Sequence, residues 1–249
     1  MTASRHWPTL AHGLSPFSAS ADIGLHLTLT DGRPLGEMPR FAPGGRLPPL
    51  GRLLRQAFTR RLDRPEIAAE IAAEIRRQLD AFVASRGCMP DFIDGHQHVH
   101  LLPGIREEVL ALFAGLLTGH PCYLRICWEP APRILARGVA VTRALVIATL
   151  SLPLRREARR LGIAGNDSFR GVADFADARN YPRHFRRFLR GSGTRPIIMC
   201  HPGFADAELA AADRVAAERE HEYGYFASDR FLDDLAAAGC RLARFCALE

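Results

Sequence analysis

Residues 91–103 carry three histidines at every second position, and this spacing constrains the chain more than any other feature. In an extended strand alternate side chains share one face, so His96, His98 and His100 would lie together with Asp94. Imidazole nitrogens and a carboxylate that converge on one point are typical ligands of a zinc-, cobalt- or magnesium-type ion. Purely structural histidines explain such a register poorly. The segment therefore predicts a metal or catalytic site.

Length, charge and lysine content exclude several classes of protein. The 249 residues suffice for one domain with a full hydrophobic core, so we assign residues 1–249 to a single domain. The net charge is +6, but the arginines are spread over helix-like segments without an aromatic-plus-basic motif. We therefore expect no nucleic-acid partner. Lysine is absent, which excludes Schiff-base chemistry and the phosphate-loop lysine of nucleotide hydrolases.

The sequence predicts a cytoplasmic protein with no membrane partner. The first residues lack the apolar core of a signal peptide. The longest apolar run, residues 138–154, is interrupted by Arg143 and predicts a buried helix rather than a membrane span. Six cysteines without a C-x-x-C pair predict mostly buried free thiols. The oligomeric state is open, and a homodimer is one assembly that the sequence allows.

Hydrophobic periodicity predicts strands that alternate with helices. The predicted strands are residues 23–30, 91–95, 123–128, 194–200 and 239–245. The predicted helices are residues 65–83, 104–117, 132–161, 181–189, 207–222 and 229–238, and residues 1–21 are expected to be irregular. This alternation is typical of α/β proteins, whose working residues lie at the carboxyl ends of parallel strands.

Three more candidate residues stand on or after these strands. His26 lies within the first strand and becomes interesting only if its face meets the face of His96. Arg125 lies at the centre of strand 123–128 and needs an anionic partner, either a substrate or a structural carboxylate. His201 opens a His-Pro-Gly sequence at the end of strand 194–200.

Three motifs in a fixed order resemble the YdjC/ChbG-like carbohydrate deacetylase family. They are Gly24-Leu-His-Leu-Thr-Leu-Thr, Asp94-Gly-His-Gln-His-Val-His and His201-Pro-Gly. The resemblance covers residues 22–245 and implies a distorted TIM-like (β/α) barrel, incomplete at its N-terminus. It also implies one divalent metal ion of the magnesium or zinc type. The implied activity removes acetyl groups from N-acetylated sugars such as chitin-derived oligosaccharides.

The resemblance also implies roles for individual residues. His26 and His96 would be metal ligands, and His201 a candidate general acid. Asp94 is the one acidic residue inside a histidine motif, and would act either as the catalytic base or as the group that orients a ligating histidine. The candidate substrate-binding residues are Arg125, His98, His100 and Asp167, the last within the segment of residues 166–171 that would form a substrate-facing loop.

The chain departs from the family pattern at its start. The family begins with a strand that ends in Asp-Asp-x-Gly, whose carboxylates supply a third metal ligand and the catalytic base. Here the motif is missing and Asp22 is the nearest acidic candidate. A wrongly assigned start codon, a truncated form and a loss of activity all remain open. So do two other functions, a catalytically inactive sugar-binding barrel and a two-metal amidohydrolase-like enzyme, although the latter class usually needs a carbamylated lysine or bridging carboxylate.

Overall fold

Short parallel strands alternate with helices in the computed structural model, which describes residues 1–173, 175–191, 193–204 and 218–247. The strands are β1 (Leu25–Leu27), β2 (Phe92–Gly95), β3 (Tyr123–Leu124), β4 (Ser168–Arg170) and β5 (Pro196–Ile198). The helices are α1 (Trp7–Gly13), α2 (Leu50–Phe58), α3 (Pro65–Arg86), α4 (Arg106–Ala114), α5 (Ala131–Arg137), α6 (Val141–Arg160), α7 (Tyr181–Leu189), α8 (Glu218–Phe226) and α9 (Asp229–Ala237).

The strands lie side by side in chain order. Parallel pairing joins β1 to β2, β2 to β3, and β4 to β5. The side chain of Asn166 joins the two groups, because its Oδ1 accepts the Ile126 N–H and its Nδ2 donates to the Ile126 carbonyl, both at 2.8 Å. An isolated parallel bridge between Leu124 and Gly165 completes the junction. The side chain of Asn166 thus takes the place of a backbone rung.

This order is that of the wall of a β/α barrel. Within the described part of the chain, however, β5 and β1 do not pair. The architecture is therefore an α/β fold with parallel strands, and closure into a TIM-like barrel stays a prediction.

Helix α3 builds most of the core beneath the first strands. Its apolar residues recur at three- and four-residue steps, as the sequence predicted, and Ile71, Ile75 and Phe82 are almost fully buried. Pro65 suits its first turn and Gly87, with φ of 70°, ends it in the left-handed conformation that glycine adopts readily. The helix carries the chain from β1 to β2 and so sets these strands parallel.

Most predicted elements exist, although the strands are shorter than predicted. The predicted helix 132–161 is two helices, because residues 138–140 include Gly138 at φ 63° and Ala140 at φ 43°. The predicted irregular start contains α1, whose Trp7 ring stacks on Phe82 with centroids 5.5 Å apart. Residues 207–217 of the predicted helix 207–222 lie outside the described residues.

The predicted closing strand at residues 239–245 was wrong. This segment is irregular and leads into a 3-10 turn at Phe245–Ala247. Arg244 instead bridges two carboxylates, with Nε 2.8 Å from Asp22 and Nη2 3.1 Å from Asp91. Leu242 of this segment is 71% exposed, and Phe245 stacks on Tyr123 at the amino end of β3 with ring centroids 4.0 Å apart.

The apolar run at residues 138–154 forms the first part of α6, which buries only one face. Leu154 is fully buried, whereas Val146 and Leu152 are about half exposed at 53% and 45%. The prediction of a buried helix was therefore only half correct. No helix in the described segments combines the length and apolarity that a membrane crossing requires.

All six cysteines are free thiols, as predicted, but only Cys122 and Cys127 are buried. The prediction that most of the thiols are buried was therefore wrong.

The expected substrate-facing loop at residues 166–171 is the buried strand β4 and its flanks. Arg170 has no exposed side-chain area, and its guanidinium group donates to Glu129 and to the carbonyls of Phe188, Arg190 and Gly191. Glu129 also pairs with Arg137. A buried charge is tolerated only when it is paired and hydrogen-bonded, and Arg170 meets both conditions. Its role is to join β4 to α7.

Replacing Arg170 with Met should destabilise the fold by about 3–5 kcal/mol, because it breaks a buried ion pair and leaves carbonyls unpaired. Urea unfolding monitored by circular dichroism measures this loss. Arg160→Met is the matched control, since its pair with Glu157 is mostly exposed to solvent and should contribute little. Equal losses in the two variants would contradict the structural role of Arg170.

Candidate active site

The register between β1 and β2 places His26 directly opposite Asp94. Nδ1 of His26 lies 2.6 Å from Oδ1 of Asp94, and the histidine side chain remains 33% exposed while the carboxylate is 8% exposed. A hydrogen bond from Nδ1 to a carboxylate fixes the ring tautomer and leaves the Nε2 lone pair available to a ligand. Because a third of its side chain is exposed, His26 can offer the lone pair of Nε2 to a ligand from solvent.

The second oxygen of Asp94 binds the Arg125 side chain. Nη1 of Arg125 lies 2.5 Å from Oδ2, and Nη2 donates to the Gly95 carbonyl at 3.1 Å. Burial disfavours ionisation of Asp94, but the charge of Arg125 and the hydrogen bond with His26 outweigh it and hold the pKa of Asp94 well below its usual range. Of the two partners considered for Arg125, the structure therefore provides the carboxylate.

The chain leaves the extended conformation immediately after β2. Residues His96–Leu101 form a 3-10 turn in which Gln97 and His98 have φ of 50° and 60°. Two successive non-glycine residues in the left-handed region cost roughly 1–3 kcal/mol each and persist only when surrounding contacts hold them. One such contact is Gln97 Nε2 donating to Asp31 Oδ2 at 3.0 Å. The expected alternation of three histidines along one strand face was therefore wrong.

The turn separates His96 from the other two histidines. The rings of His96 and His26 have centroids 5.6 Å apart and meet edge to face, so the structure brings the two predicted metal ligands together. Their donor chemistry suits a divalent ion. In residues 1–173, 175–191, 193–204 and 218–247, however, no group of three His, Cys, Asp or Glu side chains could hold a metal ion. The pair therefore supplies two ligands of a candidate centre.

His98, which is half-buried, and His100, which is buried, cluster with Cys127 behind this pair. Nδ1 of His98 is 3.5 Å and Nε2 of His100 is 3.7 Å from the Cys127 sulfur. Nε2 of His100 also lies 3.1 Å from the Arg125 carbonyl. Burial and the nearby charge of Arg125 lower the pKa of both histidines, that of His100 to about 3. Both rings are therefore neutral at physiological pH.

Gly95 is required where the turn folds back. A Cβ built there would lie 2.9 Å from Nδ1 of His100 and 3.0 Å from its backbone nitrogen. Any larger residue would therefore push His100 away from Arg125. Glycine is needed at this position because His100 approaches its backbone closely. Its φ is negative, so the backbone conformation alone does not require glycine.

His201 follows β5 at its carboxyl end, as predicted. Its charge is among the influences that lower the pKa of His98, after burial, Arg125 and His100, which places its ring near the cluster. Its backbone N–H donates to Glu222 of α8. Sequence analysis missed Glu222, because no motif in the sequence relates it to His201.

Two carboxylates considered from the sequence lie elsewhere. Asp167, directly before β4, accepts hydrogen bonds from the N–H groups of Thr194 and Arg195 and from the Thr194 hydroxyl, so its side chain holds the turn before β5. Asp22 binds Arg244 and the Phe245 N–H, beside a cleft of about 720 Å³ at the amino ends of β2 and β3. The structure therefore does not bring either carboxylate to the histidine pair, and Asp22 does not replace the family's N-terminal carboxylates.

Comparison with known families agrees with the three ordered motifs. The family model described as YdjC-like protein matches residues 1–237 of the chain. The chain belongs to the YdjC-like family.

Several relatives of this YdjC-like chain carry deacetylase names. A carbohydrate deacetylase of Mus musculus is 27% identical and aligns over 92% of this chain and 78% of its own length. A chitooligosaccharide deacetylase of Klebsiella pneumoniae (strain 342) is 31% identical over 79% of this chain and 66% of its own length. A chitooligosaccharide deacetylase of Serratia marcescens is 33% identical over 75% and 62%, respectively.

A solved structure shares the fold of this YdjC-like chain. It is a protein of Enterococcus faecalis V583 whose name provisionally assigns it to cellobiose-phosphate cleavage. It is 19% identical, has a TM-score of 0.69, and covers 100% of this chain and 85% of its own chain. At this identity the likeness establishes the fold alone.

Replacing Arg125 with Met should destabilise this YdjC-like protein by about 3–5 kcal/mol at neutral pH, because Asp94 would remain buried without its cation. The lowered pKa of Asp94 stabilises the folded state above its unfolded pKa, and this contribution is lost as pH falls. The difference between wild type and variant in urea unfolding should therefore narrow below about pH 4.

The double variant Arg125→Met, Asp94→Asn is the control. It removes the unpaired charge and should be less destabilised than Arg125→Met alone. Additive losses would contradict direct coupling between the two side chains.

Proposed function

We propose that the chain is a metal-dependent hydrolase that removes acetyl groups from N-acetylated sugars of the chitooligosaccharide type. The names of the deacetylase relatives support the reaction class and an acetylated carbohydrate substrate. The observation that carries the proposal is the pair His26 and His96, of which His26 is held by a buried carboxylate through its Nδ1. That is the usual arrangement of a ligating histidine and its orienting partner.

His26 and His96 would hold the divalent ion in this proposal. When bound, such an ion polarises the amide carbonyl and lowers the pKa of a bound water. We assign Asp94 to orient His26 rather than to act as the base, because both of its oxygens are engaged and its pKa is held low. Arg125 keeps Asp94 ionised and in place.

The other residues follow from their surroundings. His201 stands at the carboxyl end of β5 and would protonate the leaving amine. His98 and His100 are neutral and contact Cys127 and Arg125, so we assign them to support the turn rather than to bind substrate directly. Asp167 keeps only its role in the turn before β5.

Acetate release from N-acetylglucosamine oligomers tests the activity. Release should require a divalent metal, stop with a chelator and resume when magnesium or zinc is restored. His96→Ala should abolish both metal binding and release, whereas His120→Gln, at the far end of the sheet beside the Asp22 cleft, should change neither. Metal-independent release or full activity of His96→Ala would reject the proposal.

Asp94→Asn should weaken metal binding about 10–100-fold, because the amide no longer orients His26 as a charged acceptor. Isothermal titration with zinc measures the affinity. Unchanged affinity in a folded variant would assign Asp94 to another role.

One observation favours a second candidate, a catalytically inactive sugar-binding protein. The described residues bring the candidate ligands His26 and His96 together, but among them no group of three His, Cys, Asp or Glu side chains could hold a metal ion. Binding of N-acetylglucosamine oligomers without acetate release, at saturating metal, would favour this candidate. A two-metal amidohydrolase-like enzyme would bind two ions per chain, and titration of the metal content would separate it from both.

A further inference from the structure

Helix α8 accepts hydrogen bonds from the first and the last residue of the His-Pro-Gly sequence. The backbone N–H of His201 donates to Oε2 of Glu222, and the N–H of Gly203 donates to the Arg219 carbonyl at 3.2 Å. The two contacts lie on successive turns of one helix face, since residues three apart are neighbours there. The loop that carries His201 is therefore positioned by hydrogen bonds to α8 as well as by its connection to the end of β5.

Glu222 makes this contact from a buried position. It is 4% exposed, and it lies beside Tyr181, which forms a hydrophobic cluster with Phe185, Tyr225 and Phe231. Burial raises the pKa of Glu222. Placing a carboxyl group in such surroundings costs free energy unless it is hydrogen-bonded. The hydrogen bond from His201 is the largest compensation, and the charge of Arg219 and the hydroxyl of Tyr181 add to it.

We propose that Glu222 is a positioning residue for His201. Its carboxyl group fixes the backbone of His201 and thereby the direction in which the imidazole enters the site. The consequence for catalysis rests on the proposed deacetylase function, in which His201 is the general acid. The fixing of the loop itself does not depend on that function.

The expected effect follows from geometry. A general acid must lie within hydrogen-bond reach of the atom that it protonates. A displacement of about 1 Å can lower the rate about 100-fold. Loss of the Glu222 acceptor should therefore lower kcat about 100-fold and leave KM within about threefold, because substrate binding does not use the displaced proton.

Three variants at Glu222 test whether a correctly placed acceptor oxygen or the negative charge of the carboxylate matters for catalysis. Glu222→Gln keeps the length and an acceptor oxygen without the charge, and should retain kcat within about threefold. Glu222→Met keeps the volume without an acceptor and should show the full loss. Glu222→Asp keeps the charge but falls short of His201, and should behave like Glu222→Met. His221→Gln, on the exposed neighbouring position of α8, is the control that should change nothing.

The outcomes are decisive in both directions. A loss in Glu222→Gln as large as in Glu222→Met would make the carboxylate itself the reacting group and overturn the positioning role. Unchanged kcat in Glu222→Met would also overturn it. The pH profile is a further test, since in Glu222→Met the limb that reports the acid should weaken or shift, whereas a uniform loss of stability would leave its midpoint unchanged.

A spectroscopic measurement separates this inference from the proposed function. The amide proton resonance of His201 should move upfield in Glu222→Met, because it loses a hydrogen bond to a carboxyl group, and stay in place in His221→Gln. If the wild-type protein releases no acetate, the deacetylase proposal fails while this shift still supports the contact. If the resonance does not move in Glu222→Met, the positioning role fails whatever the activity. Should Glu222→Met not fold, Glu222→Asp gives the same readout.

Discussion

The candidate site depends on Asp94, which binds His26 on one side and Arg125 on the other. These residues come from β1, from β2 and from just beyond β3, so one carboxylate ties three neighbouring strands together at the level of the site. Burial would favour its protonation, and the charge of Arg125 prevents this. A neutral Asp94 would hold neither partner firmly. The orientation of His26 therefore depends on the buried ion pair between Asp94 and Arg125.

The turn after β2 divides the three histidines of the motif by position. His96 stays beside His26, while His98 and His100 fold back against Cys127 and Arg125. Gly95 makes the fold-back sterically possible. The strained backbone at Gln97 and His98 thus separates His96 from His98, which is half-buried, and from His100, which is buried. The pKa values of His98 and His100 are lowered, which keeps additional positive charge away from a candidate metal site.

Polar side chains, rather than long strands, connect the second half of the fold to the first. Asn166 replaces a backbone rung between β3 and β4, and Arg170 joins β4 to the end of α7 through buried hydrogen bonds. Glu222 continues this pattern by fastening the loop of His201 to α8. Each of these groups is buried and would be costly without its partner. Short strands of two to four residues are therefore positioned by specific polar contacts.

The sequence by itself determined the family, the order of the three motifs and the alternation of strands and helices, whereas the pairing of His26 with His96 was implied only by the resemblance to that family. The order of the motifs and the alternation of elements are read from local patterns, since periodicity fixes helices such as α3 and motif residues keep fixed spacings from strand ends. The tertiary structure alone decided which carboxylates reach the histidines. Asp94 meets His26 across 68 residues of chain, whereas Asp22, only four residues from His26, turns to Arg244 at the opposite end of the sheet. It likewise decided that residues 239–245 pack as an irregular segment and that Glu222 reaches His201. Such contacts depend on strand register and on the burial of individual charges, which no local pattern in the sequence records.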